Sequence, residues 1–140
     1  MRVSSRADYG VRALFDLAMH FGQGPTQSRE IAGRQGVPEA YLHQVLGALN
    51  RAGLVRSTRG PAGGHELARN PGDINLWDVL LVLDGLDRHA HPHPIDRQND
   101  PVHEAWHELQ QRSIEYLSSI TLESLVEQAR SRRPVPNYSI

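Results

Sequence analysis

The chain contains no cysteine and no lysine. The first absence removes disulfides, cysteine nucleophiles, thiolate zinc sites and cysteine-ligated iron–sulfur clusters from consideration. The second makes all 15 basic side chains arginine, which favours bidentate contacts to phosphate or guanine but follows equally from the base composition of a genome. Aromatic residues are sparse, at 6% of 140 residues, and no apolar run approaches the length that crosses a bilayer. Met1-Arg2-Val3-Ser4-Ser5-Arg6 leads into polar sequence rather than an apolar signal core, so a cytoplasmic location is the expectation. What is present is ordinary: 39% hydrophobic and 22% charged residues, enough for one globular unit or for a small domain with a dimerising appendage.

The formal net charge of -1 hides an uneven distribution. Through Asn70, nine Arg face five acids; from Pro71 onward, six Arg face eleven acids. Charges act on phosphates only locally, so a basic front and an acidic back imply separate tasks.

Hydrophobic periodicity divides the chain into elements. Ala7, Val11, Leu14, Ala18 and Phe21 recur at three and four residues, which predicts an amphipathic helix over residues 7–21. Gly22-Gln23-Gly24-Pro25 ends it, and Thr26 or Ser28 is placed to cap a short second helix that stops at Gly36. Pro38 suits the first position of a third helix running to Asn50 or Arg51. In that helix Leu42, Val45, Leu46 and Leu49 form the apolar face, leaving Ala40, His43, Gln44, Gly47 and Arg51 on the opposite side. Residues 54–58 and 65–68 read as a hairpin around Arg59-Gly60-Pro61-Ala62-Gly63-Gly64.

After Asn70-Pro71-Gly72, Asn75 caps a helix marked by Trp77, Leu80, Leu81 and Asp84 up to Gly85. Residues 89–101, with three prolines and alternating histidines, read as a loop. A long helix over residues 102–118 carries Val102, Trp106, Leu109 and Leu117 at helical spacing, a pattern suited to a dimer interface. Thr121 caps a last helix, and Arg130-Ser131-Arg132-Arg133-Pro134 begins a tail. The expected fold is mainly α with a small β-hairpin wing: a winged helix-turn-helix over residues 1–72, a linker helix, His-rich loop and dimerisation helices over 73–130, and a tail over 131–140.

Two short helices joined by a Gly-containing turn are the form that inserts its second helix into the major groove. Gln44 is placed to pair with adenine and His43 to meet guanine or phosphate, with Arg51 on phosphate. A polar helix face also arises wherever a helix borders water, and a Gly-rich turn is common in hairpins. The combination decides: the glycines let the wing backbone approach a phosphate, and Arg59 fits a narrow minor groove of enhanced negative potential.

The order of motifs resembles the Rrf-two (Rrf2) family of bacterial winged-helix regulators. It runs from Ser5-Arg6-Ala7-Asp8-Tyr9-Gly10-Val11-Arg12-Ala13-Leu14 through Ile31-Ala32, Gly36-Val37-Pro38-Glu39-Ala40-Tyr41-Leu42, Gly53-Leu54-Val55, Arg59-Gly60-Pro61 and Gly63-Gly64. Asp73-Ile74 and Ile120-Thr121-Leu122 complete it. The resemblance implies a homodimer crossed through the long helix, acting in transcription on double-stranded DNA at a palindromic operator. It implies DNA contacts at Ser28, Ala40, Tyr41, His43 and Gln44, with Arg59 and the backbone of Gly60 and Pro61; Tyr41 reads equally as a core residue. Ala62 stands where the family's wing usually has glycine, and His43 where cluster-type relatives often carry Glu, so their operator sequence does not transfer.

Cluster-binding relatives place three cysteines before the long helix. Here Asp100 falls at the last of these positions, His103 aligns with the family's histidine ligand, and His89, His91 and His93 occupy the loop. An iron–sulfur cluster is not expected; a divalent metal held by these histidines is an alternative, as is gating by a regulatory protein or small-molecule effector. His103-Glu104-Ala105-Trp106-His107 also matches the short zinc-peptidase pattern. A peptidase needs a third ligand and a cleft as well, so enzymatic activity is not expected.

Overall fold

The computed structural model describes residues 3–85 and 100–132. The first helix, α1 (Ser5–Met19), starts where Ser4 Oγ accepts a hydrogen bond from the Ala7 amide, satisfying one of the amides a helix start leaves unpaired. Its Ala13, Leu14, Leu17 and Ala18 are buried, and it packs against α2 (Ser28–Gln35), α3 (Glu39–Arg51), α4 (Leu76–Asp84) and α6 (Leu122–Ser131). Gly10 makes the close approach of α4 possible, since a Cβ there would run into the Leu83 side chain.

Two caps differ from the sequence expectation. Gln27, not Thr26 or Ser28, precedes α2 and makes no side-chain cap. Thr26 is buried and forms an antiparallel bridge with His65 instead, because its backbone amide and carbonyl are taken by the wing. Pro38 is the residue before α3 rather than the first helical residue. The left-handed Gly36 between α2 and α3 supplies the turn as expected.

The wing is β1 (Val55–Thr58) antiparallel to β2 (Gly64–Leu67), with Val55 opposite Leu67 and Ser57 opposite His65. Val55 and Leu67 anchor the hairpin in the core. A 3-10 turn at Pro71–Asp73 leads to α4, which Asn75 caps by accepting from the Asp78 amide. The buried residues of α4 are Val79, Leu80 and Leu83; Asp84, which marks the last turn in the sequence pattern, is exposed and accepts a hydrogen bond from Ser4 Oγ at 2.7 Å.

The long helix α5 spans Pro101–Ser119, one residue earlier than the periodicity indicates, because Asp100 caps it by accepting from the Val102 amide. None of its 19 residues is buried. Thr121 and Ser124 form a reciprocal capping box at the start of α6. A bridge between Asn75 and Thr121 ties the chain's return to α4. Ile74, Val79, Leu83, Leu122 and Val126 then join the same core as α1 to α3.

Candidate nucleic-acid interface

The orientation of α3 is set by burial. Leu42, Val45, Leu46 and Leu49 have essentially no exposed surface, each burial contributing roughly 1.5–3 kcal/mol, so the helix cannot roll without losing several of these terms. Ala40, His43, Gln44, Asn50 and Arg51 are thereby held on the exposed side. His43 leans toward Glu39 one turn earlier (Nε2 to Oε1 3.8 Å). The Arg51 guanidinium folds back over Gly47, where the missing side chain leaves room. Tyr41 sits half-buried at the edge of the core, its ring meeting Tyr9 edge-on with centroids 5.2 Å apart. Ser28 is half-buried in the first turn of α2.

The helix pair is fixed in turn by a buried charge. Asp16 on α1 is 1% exposed, and Arg34 on α2 grips both its oxygens, each at 2.9 Å, while Gln35 Nε2 donates to Oδ1. The Asp16 carboxylate holds the Arg34 guanidinium above its ordinary range, chiefly through this hydrogen bonding. A planar, two-pronged pair of this kind constrains distance and rotation together, so α2 keeps its angle to α1.

At the wing tip Arg59, Gly60 and Pro61 are exposed, and among the described residues Arg59 makes no ion pair. The Gln27 amide donates to the Pro61 carbonyl at 3.3 Å, which ties the tip to the start of α2. Gly64 lies against the Thr26 backbone, where a Cβ would come within 2.5 Å of the carbonyl oxygen, and its φ of +149° falls where side chains are rarely found. Exposed polar α3 and an arginine-tipped hairpin therefore belong to one rigid assembly. Sequence patterning did not single out Gln27, Asn50, Ser57 or His65, whose partners are distant in the chain; only the histidine's place in the wing strand hinted at them.

The candidate metal residues come together less. His89, His91 and His93 lie outside the described residues. Asp100 uses Oδ1 on the Val102 amide, and His103 and His107 lie one turn apart on α5. Among the described residues no three His, Cys, Asp or Glu side chains converge to hold a metal ion. A thiolate-held cluster does not fit this chain, which has no thiolate donor. No helix among the described residues is long and apolar enough to cross a membrane.

A helix pair with an exposed second helix and an adjoining hairpin defines a winged helix-turn-helix DNA-binding protein. The chain belongs to the Rrf2 family, described as iron-dependent transcriptional regulators, which it matches over residues 3–128. It is 36% identical over 137 residues to the putative HTH-type transcriptional regulator slr0846 of Synechocystis, covering 94% of this chain and 91% of that one. It is 36% identical over 130 residues to the HTH-type transcriptional regulator IscR of Photobacterium profundum, covering 90% and 76%. Among solved structures, IscR of T. potens superposes with a TM-score of 0.81 at 38% identity, over 96% of this chain and 93% of that one. CymR, the global cysteine regulator of B. subtilis, gives 0.79 at 33% identity, over 91% and 98%. These relatives are transcription regulators and not enzymes. Among the described residues, the peptidase pattern on α5 has no third ligand converging on His103 and His107.

Proposed function

We propose that the chain acts as a homodimer on a palindromic operator, setting two copies of α3 into successive major grooves roughly 34 Å apart. The observation that carries this reading is the joint exposure of His43, Gln44 and Arg59 on elements whose opposite faces are locked into the core. Gln44 and His43 read base edges. Arg59 enters the minor groove, and the backbone of Gly60 and Pro61 lies along phosphates. Ser28, Ala40, Tyr41 and Arg51 flank these contacts on the sugar–phosphate backbone.

The dimer forms through α5. Val102, Trp106, Leu109 and Tyr116 are all more than half exposed, and with Ser113 they repeat at four, three, four and three residues, the spacing of a helix–helix seam. Ser113 Oγ donates to the Leu109 carbonyl at 2.8 Å, so its polar atom already has a partner and costs little when covered. A second copy of this chain supplies an apolar stripe of the same kind.

Binding of the purified protein to duplexes retained from a random-sequence pool tests the assignment. Gln44→Ala is expected to relax preference at one base pair of each half-site, at about 1–3 kcal/mol of discrimination. Arg59→Ala is expected to weaken all duplexes alike and to flatten the dependence on salt. Equal, sequence-blind losses from both substitutions would refute these roles.

A further inference from the structure

The seam between α3 and the wing holds a chain of side chains with no part in the contacts assigned above. Asn50, in the last turn of α3, donates through Nδ2 to Ser57 Oγ on β1 at 3.1 Å. Ser57 Oγ is in turn 2.8 Å from His65 Nδ1 on β2. Ser57 and His65 are cross-strand partners on the same sheet face as Val55 and Leu67. That face is core at its base; two residues further on, it emerges beside the exposed end of α3. The His65 backbone is pinned by Thr26 through both its amide and its carbonyl, at 2.7 and 2.8 Å.

A ring held at the backbone and at Nδ1 has one nitrogen left. Among the described residues nothing bonds His65 Nε2. In a winged-helix complex the major groove read by the second helix and the minor groove read by the wing are separated by one sugar–phosphate strand. The half-buried His65 is on the wing strand β2, linked to the last turn of α3 through Ser57 and Asn50. Among the described residues no carboxylate bonds the ring: on α3, the Glu39 carboxylate faces His43 at 3.8 Å, and before α2 stand the neutral Thr26 and Gln27. On the outer face of the hairpin Arg56 and Glu66 pair with each other at 3.4 Å.

We propose that His65 is a further DNA-contacting residue, donating through Nε2 to a backbone phosphate at the seam between α3 and the wing. The proposal rests on the reading that this face grips a duplex, and it adds a chemical signature. In the free protein, burial first and the His43 charge second hold the His65 imidazole below its usual range. A phosphate oxygen opposes both effects and favours the imidazolium, so the complex binds more protons than the free protein, the extra proton coming from the solvent. Affinity then rises as pH falls through the bound-state value and levels off below the free-state value. Ser57 accommodates either state, because its hydroxyl donates to a neutral Nδ1 or accepts from a protonated one.

The test is fluorescence anisotropy of the full chain on its pool-selected duplex, at fixed ionic strength, from about two pH units above to one below the ordinary imidazole value of about 6.5. Wild type is expected to tighten by up to about tenfold per pH unit for each half-site, and His65→Gln to lose that part of the response. His43→Gln separates the neighbouring imidazole. The direct measurement is the His65 ring resonance in wild type, whose titration midpoint is expected to rise when the duplex is added; this needs no variant to fold. A midpoint unmoved by DNA, or a pH response intact in a folded His65→Gln, would overturn the proposal while leaving DNA binding sensitive to Arg59→Ala. Wild type that retained no duplex at any pH would overturn the underlying reading as well.

Discussion

Arg34 and Asp16 show how unequal the two ends of one ion pair are. Asp16 is buried, while the Arg34 side chain is 42% exposed, so removing the arginine strands a charge in the core, whereas removing the acid lets the arginine return to water. Arg34→Met is therefore expected to cost about 3 kcal/mol in urea unfolding, near the low end for a broken buried pair, because Gln35 still donates to the carboxylate. Asp16→Asn should cost less, about 1–2 kcal/mol, since it leaves no buried charge. Equal losses would mean that the pair acts through packing alone. Neither partnership was legible in the sequence: Asp16 reads as a polar residue on an amphipathic helix, and 18 residues separate it from Arg34.

At the scale of elements, α5 differs from the other α-helices among the described residues. The others bury an apolar face within the chain; α5 buries no residue, yet has tryptophan, leucine and tyrosine in one exposed line. Such a helix is stable only when its stripe is covered, since packing rather than propensity holds most helices. Trp106→Glu is expected to shift sedimentation from dimer to monomer and to weaken operator binding by more than about tenfold, because the two half-sites then bind independently. A dimer that survives both Trp106→Glu and Leu109→Glu would place the interface elsewhere. The sequence indicated the length of α5 and most of its stripe but put Leu117 in it; Leu117 is half-buried, and Tyr116 takes the exposed place.

The whole chain has a basic front and an acidic back, but its core does not divide there. Side chains from α1, α2, α3, the wing, α4 and α6 form one cluster. We accordingly expect a single calorimetric transition with van't Hoff and calorimetric enthalpies equal. Two transitions would instead mark residues 1–72 as an independently folding unit.

By itself the sequence determined which segments are helical, where the wing turns and which face of α3 is polar, because caps, glycines and apolar spacing are local and act within a turn or two. It also excluded a thiolate-held cluster, since composition alone decides that. Tertiary structure decided what joins those segments: the Asp16–Arg34 grip, the Thr26 bridge to His65, the Asn50–Ser57–His65 chain and the bare stripe of α5. These depend on which residues distant in the chain meet in space, and the energy of a contact is not written in either partner separately.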